Sequence, residues 1–163
     1  MQKALLVPVV VMALLLATVA GAVAPGASSS ATRAAKVTIS TRRVPRLGVV
    51  LVDGQGRTLY MFAPDKQARV TCKGACAAVW PPVKLAKGQK LAAAGGVKRS
   101  LLGSDPNPAG GRVVTYNRWP LYTYVADTRP GQATGQALNL NGGLWYVLAP
   151  SGKVIRTKLS GSG

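Results

Sequence analysis

Apolar and polar positions alternate with the period of a β-strand in three stretches downstream of residue 47. Gly48-Val49-Val50-Leu51-Val52 runs into the turn Asp53-Gly54-Gln55-Gly56 and returns as Arg57-Thr58-Leu59-Tyr60-Met61-Phe62. Arg112-Val113-Val114-Thr115-Tyr116 turns at Asn117-Arg118 and returns through Pro120-Leu121-Tyr122-Thr123-Tyr124-Val125. Leu144-Trp145-Tyr146-Val147-Leu148 is followed by a Pro-Ser-Gly turn at residues 150–152 and by Val154-Ile155-Arg156-Thr157. Three hairpins with Gly- and Pro-rich joints predict a mainly β fold, a small antiparallel sandwich or barrel. A single short helical turn is expected at residues 75–79, ended by Trp80-Pro81-Pro82 because proline cannot continue it. Residues 84–111 lack a clear period and read as a long loop with one short strand at 97–102.

The pattern changes upstream. A positive start at Met1-Gln2-Lys3 precedes an unbroken apolar run over residues 4–20 and the small residues Ala20-Gly21-Ala22. That layout predicts a secretory signal peptide, residues 1–22, cut after Ala22. An uncleaved anchor is the competing reading, since residues 4–24 nearly reach the ~20 apolar residues needed to span a bilayer. Residues 23–46, rich in Ala, Ser, Thr, Pro and basic side chains, are expected to form a flexible basic spacer. The folded domain is then expected over residues 47–159, with no further membrane segment. Cys72 and Cys76 are the sole cysteines, and an even pair in an exported chain is read first as a disulfide.

A repeat underlies the strands. Leu59-Tyr60-Met61-Phe62-Ala63-Pro64-Asp65 and Leu121-Tyr122-Thr123-Tyr124-Val125-Ala126-Asp127 align without a gap, both as Leu-Tyr-x-aromatic-x-x-Asp. The chain has four acidic residues, and two of them hold the same repeat position. With the segment from Cys72 to Cys76, Trp80-Pro81-Pro82 between the copies and Trp145 after them, the chain resembles the family called secreted repeat of unknown function, whose members carry a Tyr-x-(Phe/Trp/Tyr)-x-x-Asp motif. The resemblance implies an exported or envelope protein of actinobacterial type with no assigned reaction. Many relatives carry a lipobox cysteine at the cleavage site. Residues 17–22 hold none, so the expected location is secreted or cell-surface without a lipid anchor.

In a strand, Tyr60 and Phe62 share one face and Leu59 and Met61 the other. Asp65 and Asp127 then fall just past their strands, within reach of backbone N–H groups or a tyrosine hydroxyl. An architectural role pins each turn with its aspartate while Tyr60, Phe62, Tyr122 and Tyr124 fill the core. The functional alternative brings Tyr60, Tyr122, Asp65 and Asp127 together around a cation or polar ligand, although hard-cation sites usually recruit more acidic ligands.

Composition narrows the chemistry. There are 21 Lys and Arg, four Asp, no Glu and no His, for a net charge of +17. Without His or Glu, hydrolytic triads with a histidine base, zinc-histidine sites and paired-glutamate sites cannot be assembled. No catalytic set, cofactor or metal site is predicted, and the expected role is a non-catalytic binding or structural one at the cell envelope. The charge favours anionic envelope polymers or lipid head groups as partners; specific nucleic-acid binding is not expected, as no recognisable module is present. An exported redox or metal-handling protein built on Cys72 and Cys76 is the alternative.

Overall fold

The computed structural model describes residues 36–65 and 69–159. The expected signal peptide and most of the expected spacer lie outside these residues. The spacer's last part does not: β1 (Lys36–Val44) is a nine-residue strand pairing antiparallel with β2 (Gly48–Asp53), from Ile39 opposite Asp53 to Val44 opposite Gly48. Ile39 and Val44 are buried, so the folded part includes β1 from Lys36, ahead of the expected start at residue 47. Val37, Ile39 and the β-branched threonines give this stretch strand character that its arginines and serine conceal.

Among the described residues there are three small sheets, and none closes into a barrel. The first has the order β2, β1, β5, where β5 (Lys90–Ala93) pairs parallel with β1. The second joins β3 (Tyr60–Phe62), β10 (Gly143–Val147) and β9 (Asn139–Leu140), all antiparallel. In the third, β7 (Arg112–Tyr116) lies between β4 (Lys84–Leu85) and β6 (Leu102–Pro106) and also pairs with β8 (Trp119–Pro120). Residues 84–111 thus hold three short strands, β4, β5 and β6, where one was expected. The strand expected at 97–102 gives way to a 3-10 turn at Arg99–Leu101 and begins only at Leu102. The missed β5 owes its pairing to β1, so the two errors are one.

The turns follow from residue type. Asn117 and Arg118 both have positive φ, 47° and 66°, the tight two-residue reversal that suits the twist of a hairpin. Asp53 turns the first hairpin by accepting the Gln55 and Arg57 amides on one carboxylate oxygen, each at 2.9 Å. Helix α1 (Ala75–Val79) stops at Trp80, before Pro81. Side chains alternate as the strand period requires. Tyr60, Phe62, Trp80, Tyr122 and Trp145 enter one buried cluster, while Leu59, Met61, Val114, Leu121 and Leu148 enter another.

Candidate functional site

The two copies of the tyrosine motif meet face to face. Tyr60 and Tyr122 form an isolated antiparallel bridge. Each tyrosine then bonds to the aspartate of the other copy: the Tyr60 hydroxyl donates to Asp127 Oδ2 at 2.5 Å, and the Tyr122 hydroxyl donates to Asp65 Oδ2 at 2.7 Å. The remaining carboxylate oxygens are equally matched. Asp65 Oδ1 accepts from the Thr71 amide at 2.8 Å and hydroxyl at 2.6 Å, and Asp127 Oδ1 accepts from the Thr134 amide at 2.9 Å and hydroxyl at 2.6 Å. All four carboxylate oxygens therefore accept from the protein itself.

The aromatic side chains obey the same symmetry. Phe62, Trp145, Trp80 and Tyr124 form a continuous four-ring stack, with centroid separations of 4.1, 3.9 and 4.1 Å. The central tryptophan planes are 2° apart. Tyr60 meets Trp80 edge-on at 5.3 Å, and Tyr122 meets Trp145 edge-on at 5.3 Å. The edge contacts suit the ring quadrupoles, and the stack adds to the burial of apolar area. Strand pairing carries the exchange further. Tyr60 lies opposite Val147 in β10, and Tyr122 bridges Pro82. Trp80-Pro81-Pro82-Val83 is thereby the counterpart of Trp145-Tyr146-Val147-Leu148.

Electrostatics follow from closure. Burial pushes the Tyr60 and Tyr122 hydroxyls far above the usual tyrosine range, with the facing carboxylates of Asp127 and Asp65 adding to the effect. Burial also raises Asp65 above the ordinary carboxylate value, against the hydrogen bonds from Thr71 and Tyr122 that pull it down. Both tyrosines and Asp65 are fully buried, and Asp127 is 5% exposed. Among the described residues, no group of three or more His, Cys, Asp or Glu side chains converges as a metal set would.

Thr71 and Thr134 escaped the sequence reading. Their signal is weak but present: a threonine six or seven residues after each motif aspartate. The next position diverges. Cys72 follows Thr71 and is joined to Cys76 in a disulfide with a Cα separation of 5.2 Å. Gly135 follows Thr134, donates its amide to the Tyr60 hydroxyl at 3.2 Å, and lies so close to Trp80 that a Cβ there would sit 2.6 Å from the indole. A larger residue cannot enter without moving the stack.

The fold and this centre define a class: a β protein of two intertwined copies, each completing the tyrosine, aspartate and tryptophan set of the other. The family described as secreted repeat of unknown function matches residues 42–84 and 106–149, one segment per copy. The chain belongs to that family. No curated protein and no solved structure matched it. The family is described as secreted, and among the described residues no helix is long and apolar enough to cross a membrane.

Proposed function

We propose that this protein is an exported binding or structural component of the cell envelope that docks on anionic polymers or lipid head groups and performs no catalysis. The observation that carries this reading is where the negative charge goes. Of four aspartates, Asp65 and Asp127 are buried in tyrosine and threonine hydrogen bonds, and Asp53 pairs with Arg57 at 2.7 Å. Little acidic surface remains to offset 21 Lys and Arg. At the end of β1 and the turn into β2, Arg43, which lies opposite the exposed Val49, and Arg46 are exposed, and the exposed Arg42 lies over Gly56 and Gly131. The repeated polar centre is closed and internally satisfied, which favours architecture over turnover.

Association with anionic vesicles or anionic wall polymer, followed by co-sedimentation, tests the reading. Binding should be strong at low salt and fall steeply as salt rises, because exposed charges are screened beyond about 8 Å at physiological ionic strength. Replacing Arg42, Arg43 and Arg46 with Ser should weaken it further. Absence of binding at low salt to either surface would overturn the proposal.

A further inference from the structure

The pseudo-twofold relation is also broken at the edge of the tryptophan strands. On the second copy, the chain's own last segment closes the outer edge of the tryptophan strand. The Ile155 amide donates to the Val147 carbonyl at 3.0 Å, the Ala149 amide donates to the Lys153 carbonyl at 2.9 Å, and Leu148 bridges Val154. Gln136, fully buried, ties this segment down through Nε2 to the Ile155 and Thr157 carbonyls at 2.7 and 2.9 Å.

On the first copy, no described residue pairs with the same edge. Val83 turns both main-chain groups inward: its amide donates to the Leu121 carbonyl at 2.8 Å and its carbonyl accepts from the Val114 amide at 2.8 Å. Strand alternation then directs the Pro82 carbonyl and the Lys84 amide outward. These are the counterparts of the Val147 carbonyl and Ala149 amide, the two groups that the tail engages on the other copy. In place of a tail lies an open cleft of about 510 Å³, lined by Lys36, Thr38, Arg57, Pro82, Lys84 and Thr123 among others. Its cations are Lys36, Arg57 and Lys84. The single carboxylate there, Asp53, is engaged by Arg57 and by two turn amides.

We propose that this cleft binds an extended acidic peptide segment, which adds as a short antiparallel strand beside Pro82-Val83-Lys84 in the manner of the chain's own tail on the other copy. Two outward main-chain groups at ladder spacing, one acceptor and one donor, recognise a peptide backbone. Exposed strand edges of this kind pair readily unless blocked. Lys36 and Lys84 select carboxylate side chains on the incoming strand, Arg57 being paired with Asp53, and Pro82, lacking an N–H, needs no equivalent of the Gln136 oxygen that satisfies Val147 at 2.9 Å. The inference does not depend on the surface-wide attraction to polyanions proposed above, which requires no main-chain pairing.

The test uses the full chain and three labelled probes, followed by fluorescence anisotropy and by amide NMR shifts. These are acetyl-Val-Asp-Val-Asp-Val-amide, the same peptide N-methylated at its central residues, and a basic peptide of the tail sequence Lys-Val-Ile-Arg-Thr-Lys. The acidic peptide should bind with shifts centred on Thr38, Val83 and Lys84. N-methylation should weaken it roughly tenfold, the loss expected when a ladder hydrogen bond is removed. Lys36→Ser and Lys84→Ser should each weaken it, whereas Lys98→Ser, at an exposed position outside the cleft lining, should not. Equal binding of the methylated and unmethylated peptides, or full competition by polyphosphate without regard to methylation, would overturn strand pairing while leaving the electrostatic reading intact. Tighter binding of the basic peptide would overturn the acidic preference. Peptide binding at the cleft without any affinity for vesicles or wall polymer would uphold this inference and remove the other.

Discussion

Tyr60 and Tyr122 exchange both of their main-chain hydrogen bonds, at 2.9 and 3.0 Å, and from this shared point each sends its hydroxyl to the aspartate of the opposite copy. Neither copy holds a complete set of partners alone. The aspartate that follows each tyrosine in sequence serves the other tyrosine, 57 or 67 residues away.

Breaking either half of the exchange should cost stability by a similar amount. Asp65→Ala and Asp127→Ala each strand a tyrosine hydroxyl, a threonine hydroxyl and a backbone amide, and a buried donor without an acceptor costs about 1–3 kcal/mol. Tyr122→Phe removes one donor and leaves the carboxylate its threonine partner, so its loss should be smaller, while Tyr60→Phe also strands the Gly135 amide and should cost more than Tyr122→Phe. Thermal melts of the four variants, with and without added Ca²⁺, decide the matter. Asp variants as stable as the parent, or a parent stabilised by the metal, would contradict an architectural centre.

The pH dependence has a defined sign on each side. Tyr60 and Tyr122 are held above their unfolded value of about 10, so their contribution is complete below about pH 10 and is lost as pH rises beyond it. Asp65 is raised by burial, so its contribution is present below the unfolded carboxylate value, about pH 4, and declines as pH rises through its elevated value. Acidification therefore removes no stability through Asp65. Melting temperature should fall steeply on the alkaline side, with tyrosinate absorbance from Tyr60 and Tyr122 appearing only on unfolding. Tyrosinate formation by all five tyrosines before unfolding would refute the burial argument.

The Cys72–Cys76 disulfide spans a separation of four residues. Closing so short a loop contributes roughly 2 kcal/mol by the chain-entropy model. Cys72 directly follows Thr71, which holds Asp65, so the bridge steadies the first copy where the second relies on Gly135 against Trp80. A Cys72→Ser, Cys76→Ser variant should unfold at lower denaturant with an unchanged slope and keep the near-ultraviolet signature of the aromatic stack. Loss of that signature in the folded variant would assign the bridge a wider role.

Much of the local structure was legible. The strand period separated Tyr60 and Phe62 from Leu59 and Met61, the prolines after Trp80 ended the helix, and Asn117-Arg118 marked a tight turn. The repeat exposed both aspartates as equivalent. Their crossed partnership was not legible, because spacing limits what Asp65 can reach locally and says nothing of a tyrosine 57 residues on. Strand β1 was hidden by composition: Thr41, Arg42 and Arg43 resemble a solvated linker, although Val37 and Ile39 carry the period of a strand. With β1 lost, its parallel partner β5 lost its reason to exist. The open edge at Pro82 required the fold, since it is visible only by comparison with the sealed edge at Val147.

The crossed hydrogen bonds also impose a schedule on the newborn chain. Synthesis proceeds at about 5–20 residues per second, so the 67 residues between Tyr60 and Asp127 take roughly 3–13 s to appear. Once Trp80 is made, the first copy has its tyrosine, its aspartate and its tryptophan in hand, yet it lacks the donor until Tyr122, the acceptor until Asp127 and the facing indole until Trp145. Its aromatic surface must stay uncommitted until the second copy arrives, which makes the half-made chain the form most in need of a holding chaperone.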